Sequence, residues 1–175
     1  RVLKHFSALE MAKFYAKYTA QLEKADSIFD ESMYAVLENY RRHGAPYINL
    51  LESYAEFCLR IGDYIVADSL SAEALQYTLE RYGENSVAYG ISLRKRSEAQ
   101  IALGAYGDAT VNLKKSVSIL EKSDSEPEEE YIMSLYKLGD IERLNGSLYN
   151  SELYLNEAYI GSKRIVRRDD ILTAS

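Results

Sequence analysis

The sequence contains few of the residues that interrupt a helix or crosslink a chain. Its 175 residues include two prolines, nine glycines, one cysteine and no tryptophan. Glycine and proline together reach about half of their usual share, which argues against a β-sandwich, a collagen-like chain or a flexible linker. The single cysteine, Cys58, cannot form an internal disulfide, so we expect a reducing intracellular compartment, most simply the cytoplasm. Cys58 falls on a predicted apolar helix face, where we expect a buried, inert thiol.

The sequence also lacks the signatures of several functional classes. No apolar run approaches the roughly 20 residues that cross a bilayer, so we expect no membrane span. With 27 acidic and 21 basic residues the net charge is −6, which leaves no basic surplus for binding nucleic acid. We find no glycine-rich phosphate loop, no metal-spaced His or Cys cluster and no nucleophile motif. We therefore expect a protein that is not an enzyme and that uses no cofactor and no metal.

What the sequence does contain is a helical composition. Hydrophobic residues make up 47% of the chain, which is enough to form a core. Alanine, leucine, glutamate and lysine are abundant, and these residues have high helix propensity. The composition therefore predicts an all-α protein.

A repeat with a period of 42 residues organises the chain. Large, small and glycine positions each recur at this spacing, and six such columns argue against coincidence. The columns are Leu9, Leu51, Leu93 and Leu135; Ala25, Ala67, Ala109 and Ser151; Phe29, Ser71, Leu113 and Leu155; Ser32, Ala74, Ser116 and Ala158; Ala20, Gly62, Gly104 and Gly146; and His5, Tyr47, Tyr89 and Tyr131. The pattern predicts a single array of four similar units.

Each unit is predicted to be a pair of helices. In the second unit, apolar residues follow a helical spacing over 47–61, residues 62–63 interrupt it, and a second helix covers 64–82. The predicted units of the array 1–175 are 5–44, 45–86, 87–126 and 127–168, and 169–175 begin a further repeat or a capping helix.

The boundaries of these helices carry recognisable capping residues. Pro46 suits the first turn of a helix, Gly83 a left-handed cap and Ser86 an N-cap. The acidic segment 125–130 has two interpretations. We favour the one in which its serine caps a helix, its proline opens it and its glutamates complement the helix dipole. The other is an acidic docking segment.

The recurring positions resemble the tetratricopeptide repeat, abbreviated TPR. In that family each unit is a helix pair with a Leu-Gly pair in the first helix, a glycine and an aromatic residue at the turn, and small residues in the second helix. The matching residues are Leu138-Gly139, the turns Gly62-Asp63-Tyr64 and Gly104-Ala105-Tyr106, and the pairs Ala67 with Ala74 and Ala25 with Phe29. The spacing of 42 and the segment 82–89 resemble the longer repeats of kinesin light chains.

The resemblance implies a right-handed α-solenoid of about four antiparallel helix-turn-helix repeats. It also implies that the first helices line a concave face, which binds a peptide or helix of a partner. By repeat register, the candidate partner-binding residues are Asn49, Glu52, Glu56, Arg60, Arg94, Glu98, Tyr136, Asp140 and Arg143. The asparagine that recurs in kinesin light chains is replaced by Met11, Ser53, Lys95 and Lys137, so their cargo contacts are not transferred.

Three of the candidates form an acidic row. Glu56, Glu98 and Asp140 are 42 residues apart, so the resemblance implies that they lie side by side. Such a row would attract a basic segment of a partner. Alternatively each acid is paired within its own helix, because Arg60, Arg94 and Arg143 lie three or four residues away. Both interpretations remain open at this point.

We expect the recurring tyrosines to pack between helices. Tyr47, Tyr89 and Tyr131 are predicted to lie where each unit meets the previous one. Tyr64 and Tyr106 are predicted to lie at the turn between paired helices, where a ring can fill a groove and leave its hydroxyl at the edge.

Two functions from different classes fit these observations. The first is an interaction scaffold or adaptor that binds a protein or peptide, with a basic segment as one form of the partner. The alternative is an architectural subunit or spacer of a large assembly, which contacts its neighbours by its edges and ends. Because the chain begins at Arg1 and not at Met, we also expect it to belong to a larger chain or complex.

Overall fold

In the computed structural model, which describes residues 14, 22–39, 44–123 and 128–173, every regular element is an α-helix. We number the helices in chain order as α1 (Leu22–Asn39), α2 (Ala45–Ile61), α3 (Tyr64–Tyr82), α4 (Val87–Ala102), α5 (Tyr106–Glu121), α6 (Glu128–Leu144) and α7 (Leu148–Thr173). Three hairpins follow from this order, because α2 packs on α3, α4 on α5 and α6 on α7. The all-α fold class expected from the sequence is confirmed.

The chain divides into two compact units, Arg1–Gly83 and Glu84–Ser175. In the first unit α2 packs on α1 and on α3. In the second unit α5 packs on α6 and so joins the two hairpins, and α4 makes a smaller contact with α6.

The turn inside each hairpin is built in the same way three times. Gly62, Gly104 and Gly146 have φ angles of 86°, 77° and 80°, in the left-handed region that favours glycine. The residue after each glycine donates its N–H to a carbonyl five residues earlier, as helix-terminating turns commonly do. These bonds join Asp63 to Cys58 at 2.9 Å, Ala105 to Gln100 at 2.8 Å and Ser147 to Glu142 at 2.8 Å. The period of 42 residues is therefore present in the backbone.

The columns that recur in the sequence form much of the core. The described members of the leucine column and of the small-residue column are almost fully buried. Exposed fractions are 0% for Leu51, 1% for Leu93 and Leu135, 0% for Ala25, Ala67 and Ala109, and 4% for Ser151. Small side chains at these positions let two helix backbones approach closely, and the leucines fill the space beside them.

The core of the first unit is aromatic. The ring of Phe29 on α1 stacks on Tyr54 of α2 with centroids 4.9 Å apart and also contacts Phe57 at 5.3 Å. Cys58 is 2% exposed beside these rings. Burial raises the pKa of the Cys58 thiol to about 12, and the Asp63 carboxylate adds to this rise. The expected burial of Cys58 is confirmed, and the raised pKa disfavours the reactive thiolate.

The core of the second unit is aliphatic and spans both hairpins. Ala109 and Leu113 of α5 pack with Leu138 and Ile141 of α6. Gly139 allows α7 to come close, because a Cβ atom there would lie 2.7 Å from the Cγ atom of Leu155. The Leu-Gly pair of the sequence is thus the contact point of two helices.

Most of the predicted caps are confirmed. Pro46 lies in the first turn of α2, and the Ser86 hydroxyl accepts the Tyr89 N–H at 3.1 Å at the start of α4. Gly83 has a positive φ of 85° as expected, but its ψ of 166° lies outside the left-handed helical region, so the predicted left-handed cap is only partly formed. The serine and proline predicted to open α6 lie at 125–127, outside the described residues.

The prediction for 169–175 is wrong where the structure describes it. Residues 169–173 continue α7, so no further helix begins at Asp169. The sequence offers a reason, because no glycine or proline follows Gly161 that would terminate the helix.

Candidate functional site

The nine candidate residues lie on three helices. Asn49, Glu52, Glu56 and Arg60 are on α2 of the first unit, and Arg94, Glu98, Tyr136, Asp140 and Arg143 are on α4 and α6 of the second unit. The α2 residues are exposed except for Glu52, which is half-buried. In the second unit the contact between α4 and α6 brings the candidates of both helices onto one surface.

Arg94 is the most buried of the candidates, at 6% exposure. Its Nη1 atom donates to Glu98 Oε1 at 2.9 Å on the same helix. Its Nε and Nη2 atoms donate to Glu130 Oε2 on α6 at 3.2 and 2.7 Å. All three bonds are charge-assisted and therefore strong. The guanidinium thus joins α4 to α6.

Glu98 is shared between two cations. Besides Arg94, the Nζ atom of Lys137 on α6 lies 3.7 Å from Glu98 Oε1. Together, Arg94, Glu98, Glu130 and Lys137 form a four-residue network, two acids and two bases, across the α4–α6 contact. The two negative and two positive charges of this network cancel.

Asp140 is paired within α6. Arg143 donates to Asp140 Oδ1 from Nη2 at 2.7 Å and from Nε at 3.2 Å. The intrahelical pairing considered for the acidic row is therefore confirmed for Arg94–Glu98 and for Asp140–Arg143. Both side chains of the Asp140 pair are about half exposed, so solvent weakens this attraction.

Two large apolar side chains remain exposed on the same helix. Met133 and Tyr136 of α6 are 45% and 54% exposed. They lie on the solvent face with Asp140, opposite the face that carries Leu135 and Leu138 into the core. The α4–α6 surface thus combines a neutral charge network with an exposed aromatic residue.

Sequence reasoning missed the role of Glu130. In the favoured interpretation of the acidic segment, its glutamates stabilise the positive end of the helix dipole. Glu128, Glu129 and Glu130 do lie in the first turn of α6. Glu130 also binds Arg94, 36 positions away. The available signal was the position of Arg94 on the helix stripe of Leu93 and Ser97, because a buried arginine needs an acidic partner.

A second ion pair, in which only the acid is buried, was not foreseen either. Glu142 of α6 is 4% exposed, and its Oε1 atom lies 2.8 Å from the Nζ atom of Lys114 on α5. The hydrogen bond from Lys114 lowers the pKa of Glu142, although burial opposes the shift. This pair fixes α5 against α6 and lies on the buried side of α6, away from Tyr136.

The tyrosine column contacts the second helix of each hairpin. The Tyr47 hydroxyl donates to Glu73 at 3.0 Å and the Tyr131 hydroxyl donates to Glu157 at 2.6 Å. At the third position a lysine replaces the glutamate, and the Nζ atom of Lys115 lies 5.1 Å from the Tyr89 ring centre. Besides burial, the Glu121 carboxylate at the end of α5, in the preceding repeat, also raises the pKa of Tyr131, as expected of a residue near the junction with the previous unit.

The turn tyrosines begin the second helices of their hairpins. Tyr64 and Tyr106 are the first residues of α3 and α5, and they are 41% and 38% exposed. Their rings are therefore less buried than the sequence prediction implied.

Within the described ranges, no helix is long and apolar enough to span a membrane. In the same part of the chain, no three His, Cys, Asp or Glu side chains are grouped so that they could hold a metal ion.

The comparison with known proteins rests on structure. The sequence matches no protein-family model and no curated protein sequence. The crystal structure of BtubC (BKLC) from P. vanneervenii is similar, with a TM-score of 0.82 at 13% identity over 92% of this chain and 64% of that one. Nearly identical TPR-like repeats from Podosopora anserina, described as those of a kinesin light chain, give a TM-score of 0.64 at 13% identity over 93% of this chain and 96% of that one. A variant of the same repeats gives 0.65 at 14% identity over 94% and 97%.

These structures establish the fold. The chain is an all-α solenoid of TPR-like repeats, as the recurring positions predicted. It spans 64% of the length of BtubC, which is less than two thirds of that structure.

Proposed function

We propose that this protein is a non-enzymatic interaction scaffold, an adaptor that binds a peptide or helix of a protein partner on its first helices. TPR-like repeats commonly serve protein–protein interaction, because stacked helix pairs leave one broad face open. One observation supports the proposal most. Ion pairs hold α4 and α6 side by side, while Met133 and Tyr136 stay exposed on the resulting surface.

Tyr136 has the properties of a binding anchor. Exposed aromatic residues on rigid elements account for much of the energy of protein interfaces. Helix α6 packs on both α5 and α7, so the backbone of Tyr136 is fixed before a partner arrives. Little conformational entropy is then lost when the ring is covered.

The charges near Tyr136 restrict the chemistry of the partner. Arg94 and Lys137 already neutralise Glu98, so Glu98 adds little attraction for a basic ligand. Asp140 is 47% exposed beside Arg143 and can accept a competing cation. Such an exposed pair contributes about 0.2–1 kcal/mol. The partner we propose offers an apolar or aromatic side chain to Tyr136 and a basic residue to Asp140.

The candidates on α2 belong to the same proposal. Asn49, Glu52, Glu56 and Arg60 occupy the corresponding repeat positions of the first unit. We propose that they form a binding surface of the first unit, with Glu56 in the repeat position of Asp140.

A peptide-display selection on the purified chain tests the proposal. We expect an enriched motif with an apolar anchor and a flanking basic residue. Tyr136→Ala should weaken binding of the selected peptide at least tenfold, because the anchor loses its contact surface. Asp140→Asn should weaken it by about two- to fivefold, as expected for one exposed ion pair. Affinities are measured by titration calorimetry.

Tyr34→Ala provides the matched control. Tyr34 is 77% exposed on α1, a second helix of its repeat, so it lies outside the proposed surface. This variant should retain affinity within twofold. No enriched peptide, with the chain shown to be folded by circular dichroism, would contradict the proposal. Equal loss in the Tyr34 and Tyr136 variants would also contradict it.

The architectural alternative has one observation in its favour. Helix α7 carries a series of exposed apolar residues, among them Leu148, Tyr149 and Val166. An exposed apolar face of this length is a surface by which a subunit contacts a neighbour. This role does not require the α4–α6 surface.

A further inference from the structure

A pocket opens between α6 and α7 in the second unit. Its volume is about 300 Å³, which lies at the lower end of the range for ligand-binding pockets and suits one side chain better than a long peptide. The apolar part of its lining consists of Ile132 from α6 and of Leu153 and Ile160 from α7, with Tyr131 and Gly161 beside them. The pocket therefore offers apolar contact to a small group.

The charged residues of the lining are more acidic than basic. Glu128 and Glu157 contribute two carboxylates, and Arg164 contributes one guanidinium. Glu157 also accepts the Tyr131 hydroxyl at 2.6 Å, a bond that holds its carboxylate at the pocket. This balance favours a ligand that carries a positive charge near its apolar group.

The other two hairpins show which neighbours the tyrosine column accepts. In the α2–α3 hairpin, the Tyr77 ring lies against the Tyr47 ring with centroids 5.8 Å apart. In the α4–α5 hairpin, the Nζ atom of Lys115 lies 5.1 Å from the centre of the Tyr89 ring. Both contacts are favourable for an aromatic ring, the first as an aromatic pair and the second as a cation–π interaction.

The α6–α7 hairpin supplies neither contact to Tyr131. Gly161 stands two periods of 42 after Tyr77, and Glu157 stands one period after Lys115. A Cβ atom at Gly161 would lie 2.8 Å from the Cγ1 atom of an isoleucine on α6, so the packing of the two helices favours glycine there. Because the pocket is lined by Tyr131 and Gly161, another molecule can supply the missing ring and cation at this place.

The pocket lies mainly on a side of the hairpin that the next helix of a repeat array leaves open. Its lining residue Asn156 corresponds to Lys114, which α6 contacts, and so marks the edge of the covered side. Leu153 corresponds to Val111, which stays 66% exposed on α5 although α6 follows. The apolar wall at Leu153 would therefore remain accessible beside a following repeat.

We propose that the pocket between α6 and α7 binds an aromatic side chain of a protein partner, together with a basic residue next to it. The ring lies beside Tyr131, as in the α2–α3 hairpin, and the base lies near Glu128 and Glu157. This site is separate from the Tyr136 surface, because it involves α7 and not the contact of α4 with α6.

Methyl NMR with labelled isoleucine tests the site on the whole chain. Ile132 and Ile160 line the pocket, and Ile65 on α3 is the control, because it is 76% exposed and lies outside the pocket. The probe is N-acetyl-tyrosinamide, whose ring should shift the methyl signals of Ile132 and Ile160 and leave that of Ile65 in place. For one side chain we expect a dissociation constant on the order of 1 mM. No shift at about 10 mM probe, or equal shifts of all three signals, overturns the proposal.

A pair of peptides tests the charge of the partner. Acetylated Arg-Tyr-Arg amide and acetylated Glu-Tyr-Glu amide present the same ring between opposite charges. The basic peptide should bind about fivefold more tightly, because the pocket carboxylates attract it. Glu157→Gln should reduce this preference to about twofold. Equal affinities of the two peptides for the wild type, or tighter binding of the acidic one, overturn the proposed chemistry.

Two variants test the position of the site. Leu153→Asp places a carboxylate in the apolar wall and should weaken binding of N-acetyl-tyrosinamide at least fivefold. Val111→Asp is the matched control, since Val111 has the same repeat position on α5 and is also exposed, and it should keep the affinity within twofold. Circular dichroism checks that both variants are folded. Unchanged affinity of the Leu153 variant, or an equal loss in both, contradicts the proposed site.

Discussion

Two charged residues of the second unit lie in nearly closed surroundings, and each depends on a partner from another helix. Arg94 is 6% exposed and Glu142 is 4% exposed. A buried charge is costly unless ion pairs and hydrogen bonds replace its hydration. Glu130 supplies them for Arg94, and Lys114 supplies them for Glu142. We therefore expect the loss of a partner to cost more than the loss of an exposed charge.

The first prediction separates ion pairing from the helix dipole. Glu130→Gln should lower the free energy of unfolding by about 1–3 kcal/mol, because Arg94 loses the charge of its interhelical partner. Glu129→Gln is the matched control, since Glu129 lies in the same first turn and is exposed. Glu129→Gln should lower the free energy of unfolding by only about 0.3–1 kcal/mol, which is the contribution of one charge to the helix dipole. Urea denaturation measures both values, and equal costs would show that Arg94 does not need Glu130.

The second prediction concerns stability in acid. The pKa of Glu142 lies below its ordinary value of 4.5, chiefly because of the hydrogen bond from Lys114. A lowered pKa in the folded state adds stability that is present above the unfolded value and is lost as pH falls through the folded value. Below pH 4.5 the wild-type chain should therefore lose stability more steeply than Glu142→Gln. Denaturation midpoints at a series of pH values give the two slopes.

The control for acid stability is again a carboxylate on α6. Glu129 is exposed, so Glu129→Gln should keep the acid slope of the wild type. The account of the Lys114–Glu142 pair fails if Glu142→Gln and the wild type lose stability in parallel as the pH falls.

At the scale of the helices, close contacts depend on single small residues. Gly139 is the clearest example, since a Cβ atom there would lie 2.7 Å from Leu155 Cγ and 3.2 Å from its backbone nitrogen. The backbone of α7 cannot move away from such an atom without loosening the α6–α7 hairpin. The contact explains the glycine in the Leu-Gly pair, and Ser97 fills the equivalent position of α4 with a buried hydroxyl.

The third prediction tests this packing. Gly139→Ala should lower the free energy of unfolding by about 1–3 kcal/mol, because overpacking outweighs the gain in helix propensity. Gly107→Ala is the control in the first turn of α5, where no atom lies within 4 Å of the added Cβ. It should be neutral or stabilising by up to about 1 kcal/mol. The packing argument would be wrong if both substitutions stabilised the chain.

The helices and turns were predictable from the sequence because their signals are local. The glycines at 62, 104 and 146, the N-cap Ser86 and the apolar spacing are all set by residues within a few positions of each other. The pairs Arg94–Glu130 and Lys114–Glu142 join residues 36 and 28 positions apart. No local pattern selects such a partner, because the chain offers many acids to each base. The length of α7 was not predicted, because the repeat implies a second helix as long as those of the other hairpins. Helix α7 has 26 residues, against 19 in α3 and 16 in α5.

For the whole molecule, the repeat both predicts the fold and limits what the sequence says about function. The same fold occurs in proteins only 13–14% identical to this one. The fold alone therefore does not identify a partner. The exposed residues that could meet a partner include Tyr136 beside the α4–α6 network and the apolar residues of α7. The partner must be read from those residues.

The central claim is that the face around Tyr136 receives a partner. Photo-crosslinking tests it most directly, with benzoylphenylalanine in place of Tyr136 in one chain and in place of Val111 in another. Both positions are exposed, at 54% and 66%, but Val111 lies on α5, a second helix. We predict that a peptide selected by display crosslinks to position 136 and not to position 111. Crosslinks at position 111 alone, or at neither position while the peptide still binds, would contradict the account.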